Sequence, residues 1–536
     1  MADPEAARAF LNPSLSRLPD PLGLPDMAAA VDRLVRAAVS RETVWVYTDY
    51  DVDGVTSAAL LSDFFRESRI ACRVRLPRRD REGYGLSSDA LREIRAEGGT
   101  LVLTADCGIS SVAEARLAHL LGVDLIITDH HTPGSELPDA VAVVNPKLPG
   151  GSYPDPMIAG VGVAWNLVSA LRRRLREEGY YAAGPEPDVR RLLDLVALGT
   201  TCDVAPLVSV NRVFVAYGLQ RLNGPEARPG TRALRDVAGL KGELRASHLG
   251  YQLGPRLNAA GRMAGPEQAL ELLLAREPES ARGLASGLDA LNRQRQEEER
   301  AVFASAAERV VREGWHPTRW SLVVDGENWH DGIIGIIASR LVEAYYRPTV
   351  VLTRAKGKGS ARSIPGLNLY DVLGECSDHL ERFGGHAAAA GLKLSVERIG
   401  PFREALETVV RRRLCEEDLR PVLHLDAEAR LADLSVEAVG ELSALEPFGV
   451  ANPTPVLLLR RAGLLDLRTI GREGEHLKFR VEHGGRRVDA LAWRKAEAWS
   501  SFRPGACVDL ACTPQLSHWN GQTRVQLVLE GMRPAA

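Results

Sequence analysis

The sequence predicts an α/β protein in which a parallel-sheet domain is followed by a long connecting helix, a second α/β domain and a C-terminal all-β barrel of the OB type. Apolar, β-branched runs alternate with helical stretches from residue 43 to about residue 206, which is typical of βαβ units. A helical pattern with few breakers covers residues 266–312, and about five short strands separated by Gly, Asn and Pro follow residue 420. A chain of 536 residues suits several such units better than a single core.

The boundaries follow from these changes in pattern. The charged second half of the connecting helix is typical of a helix that bridges two domains through solvent. Short strands like those near the C-terminus also fit all-β folds other than the OB barrel. The expected segments are an N-terminal arm (1–42) with one amphipathic helix at 27–39, the parallel-sheet domain (43–265), the connecting helix (266–312), the second α/β domain (313–420) and the OB-like domain (421–536).

The composition is that of a soluble globular protein, with 45% hydrophobic and 26% charged residues. No run approaches the roughly 18 apolar residues that span a bilayer, and the first residues lack the basic-then-apolar pattern of a signal peptide. Seven cysteines without a CxxC pair indicate neither a zinc knuckle nor a disulfide framework. Because Cys107 and Cys202 lie beside candidate metal ligands, we expect a reducing, cytoplasmic location and no membrane association.

The charge of the chain is uneven. A net charge of −3 does not favour binding to nucleic acid, but residues 66–81 contain seven arginines and two acids. Such a run is consistent with a wall that binds phosphates. A solvated surface in an arginine-rich protein explains the run equally well.

Acidic and imidazole side chains follow three of the predicted strands where each strand ends. Because the carboxyl ends of parallel strands meet at one edge of a sheet, we expect these groups to converge. Carboxylates there would repel one another unless cations lay between them, so divalent metal and hydrolysis of a phosphate ester are the economical explanation. The candidates are Asp49, Asp51 and Asp53 after the run 44–47, Asp106 after 101–104, His130 and His131 after 125–128, and Asp203 after a predicted helix.

The local spacing suggests how these groups bind metal. An extended backbone would place the carboxylates of Asp51 and Asp53 on one side, and Gly54 would then turn the chain into a helix that begins near Val55. An aspartate such as Asp106 would bridge two cations about 3.5–4 Å apart. Oxygen ligands with one or two imidazoles favour Mn²⁺ or Mg²⁺ over zinc. Read alone, a single aspartate after a strand is more often a helix N-cap.

Polar, glycine-rich segments in the second half of the chain are candidate substrate-binding elements. A hydroxyl, a guanidinium and backbone N–H groups in one loop would form an anion site, although a structural turn with an incidental arginine is the alternative. Tryptophans of the predicted barrel would stack on bases or fill its core. The candidates are Ser360 and Arg362 in the loop 356–362, Gly385 and His386, Arg256, Asn258 and Arg262 in a loop between helices, and Trp493, Trp499 and Trp519.

Three motifs together resemble those of the DHH phosphoesterase superfamily: Asp49-Tyr-Asp-Val-Asp-Gly54, Asp106-Cys-Gly108 and Asp129-His-His131. Further segments resemble its RecJ family of bacterial single-strand exonucleases. They are Glu82-Gly-Tyr-Gly-Leu86, Val144-Asn-Pro-Lys147, Gly199-Thr-Thr-Cys-Asp203, Gly254-Pro-Arg-Leu-Asn-Ala-Ala-Gly-Arg262, the segment 329–340, Gly359-Ser-Ala-Arg-Ser363 and Phe383-Gly-Gly-His386. The resemblance covers residues 10–420 strongly and the predicted barrel loosely.

The resemblance implies two divalent cations, Mn²⁺ or Mg²⁺, and a role for each site residue. It makes Asp106, His130 and His131 catalytic, with His131 in contact with the scissile phosphate, and it adds Arg81 and Tyr84 to the substrate-binding residues. Tyr47 stands where many superfamily members have histidine, which implies a weaker first metal site. The implied ligands are Asp51 and Asp106, with Asp49, for one cation, and Asp53, Asp106, His130 and Asp203 for the other.

The activity implied by the resemblance is metal-dependent, 5′→3′ exonucleolytic hydrolysis of single-stranded DNA, in recombination and repair. The implied partners are single-stranded DNA, a single-strand-binding protein and a RecQ-type helicase, and the chain is expected to be a monomer. A small-substrate phosphoesterase acting on oligoribonucleotides or cyclic dinucleotides is the alternative, but it would need neither the barrel nor the basic run. A non-enzymatic scaffold is a third reading, and the complete acidic set counts against it.

Overall fold

The computed structural model describes residues 3–78, 82, 85–471, 473–519 and 521–535, without the side chain of Trp519. The chain forms two compact units. The first comprises Met1–Gly254, Ala269–Arg282 and Leu423–Ala536, and the second comprises Pro255–Gln268 and Gly283–Val422. In the described ranges, every helix is too short or too polar to cross a membrane.

A five-stranded sheet organises the N-terminal part of the first unit. Its strands are β1 (Val44–Thr48), β2 (Cys72–Arg75), β3 (Leu101–Ala105), β4 (Asp124–Thr128) and β5 (Ala142–Val144). Their order is β2-β1-β3-β4-β5 and every pairing is parallel, which confirms the predicted parallel sheet. All residues of β1 and β3 are buried, as expected for a parallel sheet covered on both faces.

Helices cover the two faces of this sheet. The helices of this part are α1 (Pro4–Leu11), α2 (Met27–Ser40), α3 (Val52–Glu67), α4 (Ser88–Ala96), α5 (Val112–Leu120), α6 (Gly160–Glu177), α7 (Leu193–Cys202), α8 (Ser209–Asn223), α9 (Pro229–Val237) and α10 (Ala246–His248), followed by a π-helix at Leu249–Leu253. On one face, α4 and α5 pack over Tyr47, Val102 and Ile127. On the other, α3 and α6 contact the strands and each other, and α7 packs against both.

The N-terminal arm differs from the prediction because it contains two α-helices rather than one. The expected amphipathic helix is α2, which contacts α6 and β5. The additional helix α1 begins at an N-cap, Asp3, whose carboxylate accepts two backbone N–H groups. Arg212 of α8 holds α1 in place. The Arg212 guanidinium lies 3.7 Å from the centre of the Phe10 ring and donates a hydrogen bond to the Phe10 carbonyl oxygen.

The second unit contains a mixed five-stranded sheet. Its strands are β6 (Leu322–Gly326), β7 (Thr349–Thr353), β8 (Lys358–Arg362), β9 (Arg382–Gly385) and β10 (Ala389–Lys393), in the order β6-β7-β8-β10-β9. Strands β6 and β7 are parallel, and the remaining pairs are antiparallel. The α-helices between residues 254 and 420 are α11 (Gly254–Met263), α12 (Glu267–Leu274), α13 (Pro278–Arg312), α14 (Trp315–Thr318), α15 (Ile334–Tyr345), α16 (Leu369–Glu375) and α17 (Ile399–Arg413).

Three local predictions for this part were wrong. The long connecting helix is present as α13, but its predicted span of 266–312 was wrong, since α12 ends at Leu274 and α13 begins at Pro278, a residue that suits a first helical turn. The predicted loop at 256–262 is helix α11, because Leu257 and Ala260 are buried and fix the segment despite its polar residues and glycines. The predicted loop at 356–362 is largely strand β8.

The C-terminal part of the first unit is a closed barrel, which confirms the predicted OB-like domain. Its elements are β11 (Ala427–Glu428), α18 (Val436–Leu442), β12 (Leu457–Ile470), β13 (His476–His483), β14 (Arg486–Ala492), β15 (Cys507–Trp519) and β16 (Gln522–Pro534). The order β12-β13-β14-β16-β15 closes because β12 also pairs with β15. The pattern of the sequence predicts strands at 456–459, 477–481, 488–492, 507–511 and 524–529, and each lies largely within one of these longer strands.

Candidate metal centre and substrate-binding residues

Three neighbouring strands of the parallel sheet end level with one another. Thr48 is the register partner of Ala105, and Ala105 is the partner of Thr128. The residues that follow them are Asp49, Asp106 and Asp129. The sheet therefore delivers three carboxylates to one edge, where an α/β protein binds its ligands.

Asp51 and Asp53 reach this edge through the start of α3 rather than through an extended segment. Asp51 is the N-cap, and its Oδ1 accepts the backbone N–H groups of Asp53 and Gly54 at 2.9 and 3.2 Å. Asp53 lies in the first turn and accepts the N–H groups of Gly160 and Val161, at the N-terminus of α6, at 2.7 and 2.9 Å. The expected extended backbone, and a helix beginning near Val55, were therefore wrong.

Two glycines permit this close packing. A Cβ atom on Gly54 would lie 2.2 Å from the carbonyl oxygen of Asp49. A Cβ atom on Gly160 would lie 2.8 Å from both the Cβ and the Oδ1 of Asp106. Gly54 is therefore required because α3 starts against the Asp49 backbone, and not because the chain needs a left-handed turn.

Asp106 occupies the centre of the cluster. Its φ of +62° lies in the left-handed region, which aspartate tolerates better than most residues. The following helix α5 begins after Ser111, so Asp106 is not its N-cap. Its Oδ1 lies 3.0 Å from Nε2 of His130 and 4.0 Å from Nδ1 of His131.

His130 lies among three carboxylates. Besides Asp106, its Nε2 is 3.8 Å from Asp53 Oδ2, and its Nδ1 is 3.8 Å from Asp203 Oδ2. Asp203 is the C-cap of α7, which brings a fourth element to the strand edge. The side chain of His130 is 12% exposed, so it forms part of the wall of the site rather than its rim.

The structure brings the seven predicted catalytic and metal-binding residues together in three overlapping groups. In each group the potential ligand atoms lie within 4.8 Å of one another. Asp106 belongs to two groups, and His130 also belongs to two. The groups are Asp49, Asp51 and Asp106; Asp53, His130 and Asp203; and Asp106, His130 and His131.

The electrostatics of the cluster fit bound cations. Burial, followed by the charges of neighbouring aspartates, raises the pKa of Asp53, Asp106 and Asp203 above the ordinary aspartate value. Apart from its 3.0 Å contact with Nε2 of His130, the buried Oδ1 of Asp106 has no hydrogen-bond partner in the described part of the chain. A set of hard oxygen donors with one or two imidazoles suits Mn²⁺ or Mg²⁺, which would relieve this mutual repulsion.

Asp129 belongs to the site, although it is not among the residues predicted to bind metal or substrate. It is fully buried, and its Oδ1 accepts the backbone N–H groups of His130 and His131 and contacts Nδ1 of His131 at 2.7 Å. Burial opposes the charge on each partner, but their contact raises the pKa of His131 and lowers the pKa of Asp129. Its position directly after a buried strand, like that of Asp106, was the available signal.

Asn145 and Lys147 lie in the RecJ-like segment 144–147 but were not among the predicted site residues. Lys147 Nζ donates to the carbonyl oxygen of His130, and Asn145 Nδ2 donates to that of His131 at 2.9 Å. Both residues follow β5, which the sequence analysis did not identify as a strand. Asn145 and Lys147 thus hold the segment of His130 and His131 from the neighbouring strand β5, and Asp129 holds it from the end of β4.

In the second unit, Ser360 and Arg362 lie on β8 next to the first turn of α15. Arg362 Nη1 donates to Ser360 Oγ at 3.1 Å. A Cβ atom on Gly335 would lie 3.0 Å from Arg362 Nη2 and 3.1 Å from Ser360 Oγ. A hydroxyl, a guanidinium and the N-terminus of a 12-residue helix therefore meet, which is a suitable arrangement for an anion.

Gly385 ends β9, and His386 follows in the turn to β10. The φ of Gly385 is +141°, and a Cβ atom there would lie 2.5 Å from the Ala389 carbonyl oxygen. His386 donates its backbone N–H to that carbonyl at 2.8 Å. This turn therefore requires glycine at residue 385.

Arg256, Asn258 and Arg262 lie on α11, and two of them have structural contacts. Arg256 Nε donates to Asp289 Oδ1 at 2.9 Å, which ties α11 to α13. Arg262 Nη1 donates to the Gly332 carbonyl oxygen at 2.9 Å, just before α15. Asn258 is half-buried.

The remaining candidates are Arg81, Tyr84, the three tryptophans of the barrel and the basic run at 66–81. Arg81 and Tyr84 lie outside the described residues, as does the side chain of Trp519. Trp499 is 8% exposed in the barrel core, whereas Trp493 is 50% exposed and packs edge-on against His476. Of the five described arginines of the basic run, Arg66, Arg73 and Arg75 form ion pairs with Asp63, Glu97 and Glu82, and the phosphate-binding wall stays a prediction.

Comparison with known families accounts for most of the chain. Residues 43–200 match the DHH family, N-terminal domain, residues 320–412 match the DHHA1 domain, and residues 425–531 match the RecJ OB domain. These three matches fall on the parallel sheet, the mixed sheet and the barrel. The fold and the strand-edge cluster thus define a DHH-type phosphoesterase.

Named relatives narrow this class. The chain is 38% identical to the single-stranded-DNA-specific exonuclease RecJ of Dickeya dadantii, over 98% of this chain and 93% of that protein. It is 36% identical to RecJ of Escherichia coli, over 95% and 91% of the two chains. RecJ of Bacillus subtilis is 38% identical over 98% of this chain, which spans 66% of that longer protein.

A solved structure agrees with this comparison. The crystal structure of RecJ from Thermus thermophilus in complex with Mn²⁺ matches with a TM-score of 0.84 and 31% identity, over 99% of this chain and 74% of that one. The Mg²⁺ complex of the same protein matches with a TM-score of 0.77. The chain belongs to the RecJ family.

Proposed function

We propose that this protein is a metal-dependent exonuclease that degrades single-stranded DNA in the 5′→3′ direction by phosphodiester hydrolysis. The observation that carries the proposal is the strand-edge cluster, in which Asp106 belongs to two overlapping groups of potential ligands. The relatives that share this fold over nearly the whole chain are named single-stranded-DNA-specific exonucleases.

The proposed ligands divide into two sets around Asp106. Asp49 and Asp51 would hold one cation with Asp106, and Asp53, His130 and Asp203 would hold the other with the same aspartate. Bound there, the cations would supply Lewis-acid activation of the phosphate and of water. The backbone N–H groups of Gly160 and Val161 fix the Asp53 carboxylate before any substrate arrives.

His131 would act on the substrate rather than on metal alone. The contact between its Nδ1 and Asp129 orients the ring and favours its protonated form. In that form Nε2 carries a proton that it can donate to an oxygen of the scissile phosphate. Asp129 is therefore proposed as a positioning residue that acts through His131.

The 5′ polarity is supported by the anion site of the second unit. Ser360, Arg362 and the first turn of α15 offer a hydroxyl, a fixed positive charge and helix N–H groups. A terminal 5′-phosphate is a dianion that such a site would hold more strongly than an internal phosphate. Gly385 and His386, with Asn258 and Arg262, are the further proposed contacts to the strand.

The direct test is digestion of single strands labelled at either end, with Mn²⁺ present. Release of the 5′ label as a mononucleotide at the earliest times, while the 3′ label remains in a shortening ladder, is expected. Early release of the 3′ label would refute the polarity, and release of internal fragments would refute exonucleolysis. Preferential hydrolysis of a dinucleotide or a cyclic dinucleotide would favour the small-substrate alternative, which has no evident use for the barrel.

Single-stranded DNA is the partner that this proposal requires. A single-strand-binding protein and a RecQ-type helicase remain predicted partners, and a monomer remains the predicted state. Size measurement of the purified protein, alone and mixed with each candidate, tests all three.

A further inference from the structure

A groove of about 620 Å³ lies within the first unit, and the residues on either side of Asp203 in the chain, Cys202 and Val204, line it. One wall comes from residues 201–207 and 245–251, and the other comes from residues 439–455 and the barrel strands β15 and β16. Thr201, Cys202 and Val204 all line it, so one wall of the groove is the segment that carries Asp203 of the metal-binding cluster.

Val204 lines this groove, and its backbone conformation is strained. Its φ of +62° is a left-handed conformation that a β-branched residue rarely adopts. The N–H groups of Val204 and Ala205 return to the carbonyls of Thr201 and Thr200, which is a Schellman ending of α7 with Val204 where glycine is usual. Nevertheless Val204 is 64% exposed, so burial of its side chain does not explain its presence.

Tyr251 is the second unexplained residue of the same wall. It lies on the π-helix Leu249–Leu253, a backbone form that often occurs at functional sites. Its side chain is 84% exposed, the largest value among the exposed large hydrophobic residues of the described chain. The same groove thus carries an exposed aromatic ring and an exposed branched apolar side chain.

The charge of the groove indicates what part of a nucleic acid it suits. The charged residues that line it are Arg245, Glu446 and Glu530, and Arg245 is 3.3 Å from Glu446. The lining therefore has no surplus positive charge to hold phosphates. Its apolar surface, from Val204, Leu207, Tyr251 and Phe448, suits unstacked bases instead.

We propose that this groove binds nucleobases of the single strand beside the cleavage site, with Tyr251 as the stacking surface and Val204 as its apolar neighbour. The proposal rests on the function proposed above and adds a base-binding subsite to it. The segment 201–204 carries Asp203 of the cluster and also three lining residues of the groove. A strand whose scissile phosphate lies at Asp106 and His131 would therefore pass its adjacent bases along this wall.

The test compares a 20-nucleotide single strand with a single-nucleotide p-nitrophenyl phosphodiester, which lacks adjacent bases. Tyr251→Ala should lower kcat/KM on the strand by roughly 5- to 150-fold, mainly through KM, since that is the range of one stacked base. Hydrolysis of the small diester should stay within about twofold, and Tyr251→Phe should retain wild-type values on both. Leu120→Ala is the matched control, because Leu120 is 81% exposed and does not line the groove.

Val204→Gly separates binding from folding. Glycine relieves the left-handed backbone, so the melting temperature should be unchanged or higher while KM for the strand rises. Unchanged KM in both variants would overturn the subsite, as would an equal loss on the two substrates, which would mean that Tyr251 only supports the metal centre. Wild-type protein that hydrolyses the diester but no DNA strand would instead refute the proposed function.

Discussion

At residue 106 the backbone takes a left-handed conformation and the side chain is 2% exposed among other carboxylates. Asparagine keeps the shape and tolerates this backbone, so Asp106→Asn removes the charge without disturbing the turn. We expect hydrolysis to fall at least about 100-fold, because a loss of this order follows even from changes outside the ligand set of a metal site.

The same substitution should stabilise the protein in EDTA, since it removes a buried anion that its neighbours repel. Thermal melting and single-strand hydrolysis with Mn²⁺ measure the two effects. A well-folded Asp106→Asn protein with ordinary turnover would contradict the central position of this carboxylate.

Arg362 is expected to distinguish strand ends. Arg362→Ala should reduce use of a 5′-phosphorylated strand about 10- to 100-fold more than use of a 5′-hydroxyl strand, because a charge-assisted contact of about 1.5–3 kcal/mol is lost only from the former. Competition between the two labelled strands measures the preference directly. Arg412→Ala, an exposed arginine of α17 in the same unit, is the control. Equal losses on the two strands would assign Arg362 to the strand interior or to support of β8.

At the scale of elements, the strand-edge cluster makes stability depend on pH and metal together. The pKa of Asp53 is raised to about 7, and those of Asp106 and Asp203 are raised well above their ordinary value. Each acid stabilises the fold below its unfolded pKa of about 3.9, and that contribution is lost as the pH rises through the folded value. The metal-free protein should therefore lose stability from about pH 4 to pH 7 and above.

Mn²⁺ should reverse this loss, because it binds the deprotonated ligands. At 100 times its Kd it should add about 2.7 kcal/mol, and the rise in melting temperature should be larger at pH 8 than at pH 5.5. Asp106→Asn should flatten both dependences. A metal-induced shift of equal size at the two pH values would show that these carboxylates do not bind the ion.

The elements that the sequence predicted well are those whose pattern is local. The runs before Asp49, Asp106 and His130 are buried from end to end, so their strand character and their common edge followed from apolar β-branched residues alone. The start of α3 was misplaced because the contact between Gly54 and the Asp49 backbone joins two elements. Likewise, the sequence around α11 predicts a loop, because its polar residues bond to partners distant in sequence, such as Asp289 and Gly332.

The role of Asp129 could not be predicted for the same reason. Nothing in its own segment shows that its carboxylate turns back to His131 instead of facing a cation. The groove lined by Cys202 and Val204 could not be predicted from the sequence either, since one of its walls comes from residues more than 200 positions later in the chain.

On the scale of the whole molecule, the barrel is part of the first unit rather than a loose appendage. Arg212 is 2% exposed and donates to the carbonyl oxygens of four consecutive residues, 444–447, that precede the barrel strands. Leu207 donates its backbone N–H to the Val450 carbonyl at 2.8 Å. One guanidinium thus holds the N-terminal arm, α8 and the approach to the barrel together.

Deleting residues 421–536 should weaken binding to long single strands while leaving the composition of the metal centre intact, because every proposed ligand lies before residue 206. Each stacked base that is lost should cost about 1–3 kcal/mol, and the binding that remains should depend more on charge and fall more steeply with salt. The deletion also removes the carbonyl oxygens of residues 444–447, to which Arg212 donates, and the Val450 carbonyl oxygen, to which Leu207 donates. The truncated protein should therefore melt at a lower temperature.

A full-length variant, Arg212→Gln, separates the loss of stability from the loss of strand binding. This change loosens the attachment of the barrel without removing any barrel surface, so it reproduces the loss of stability but not the loss of strand contacts. The measurement is the affinity for strands of 6 and 30 nucleotides, below the melting temperature of each protein. Relative to the full chain, the truncated protein should lose more affinity for the 30-nucleotide strand than for the 6-nucleotide strand, whereas Arg212→Gln should show no such difference. If the folded truncated protein binds the long strand as tightly as the full chain does, the barrel contacts no DNA and serves to complete the first unit.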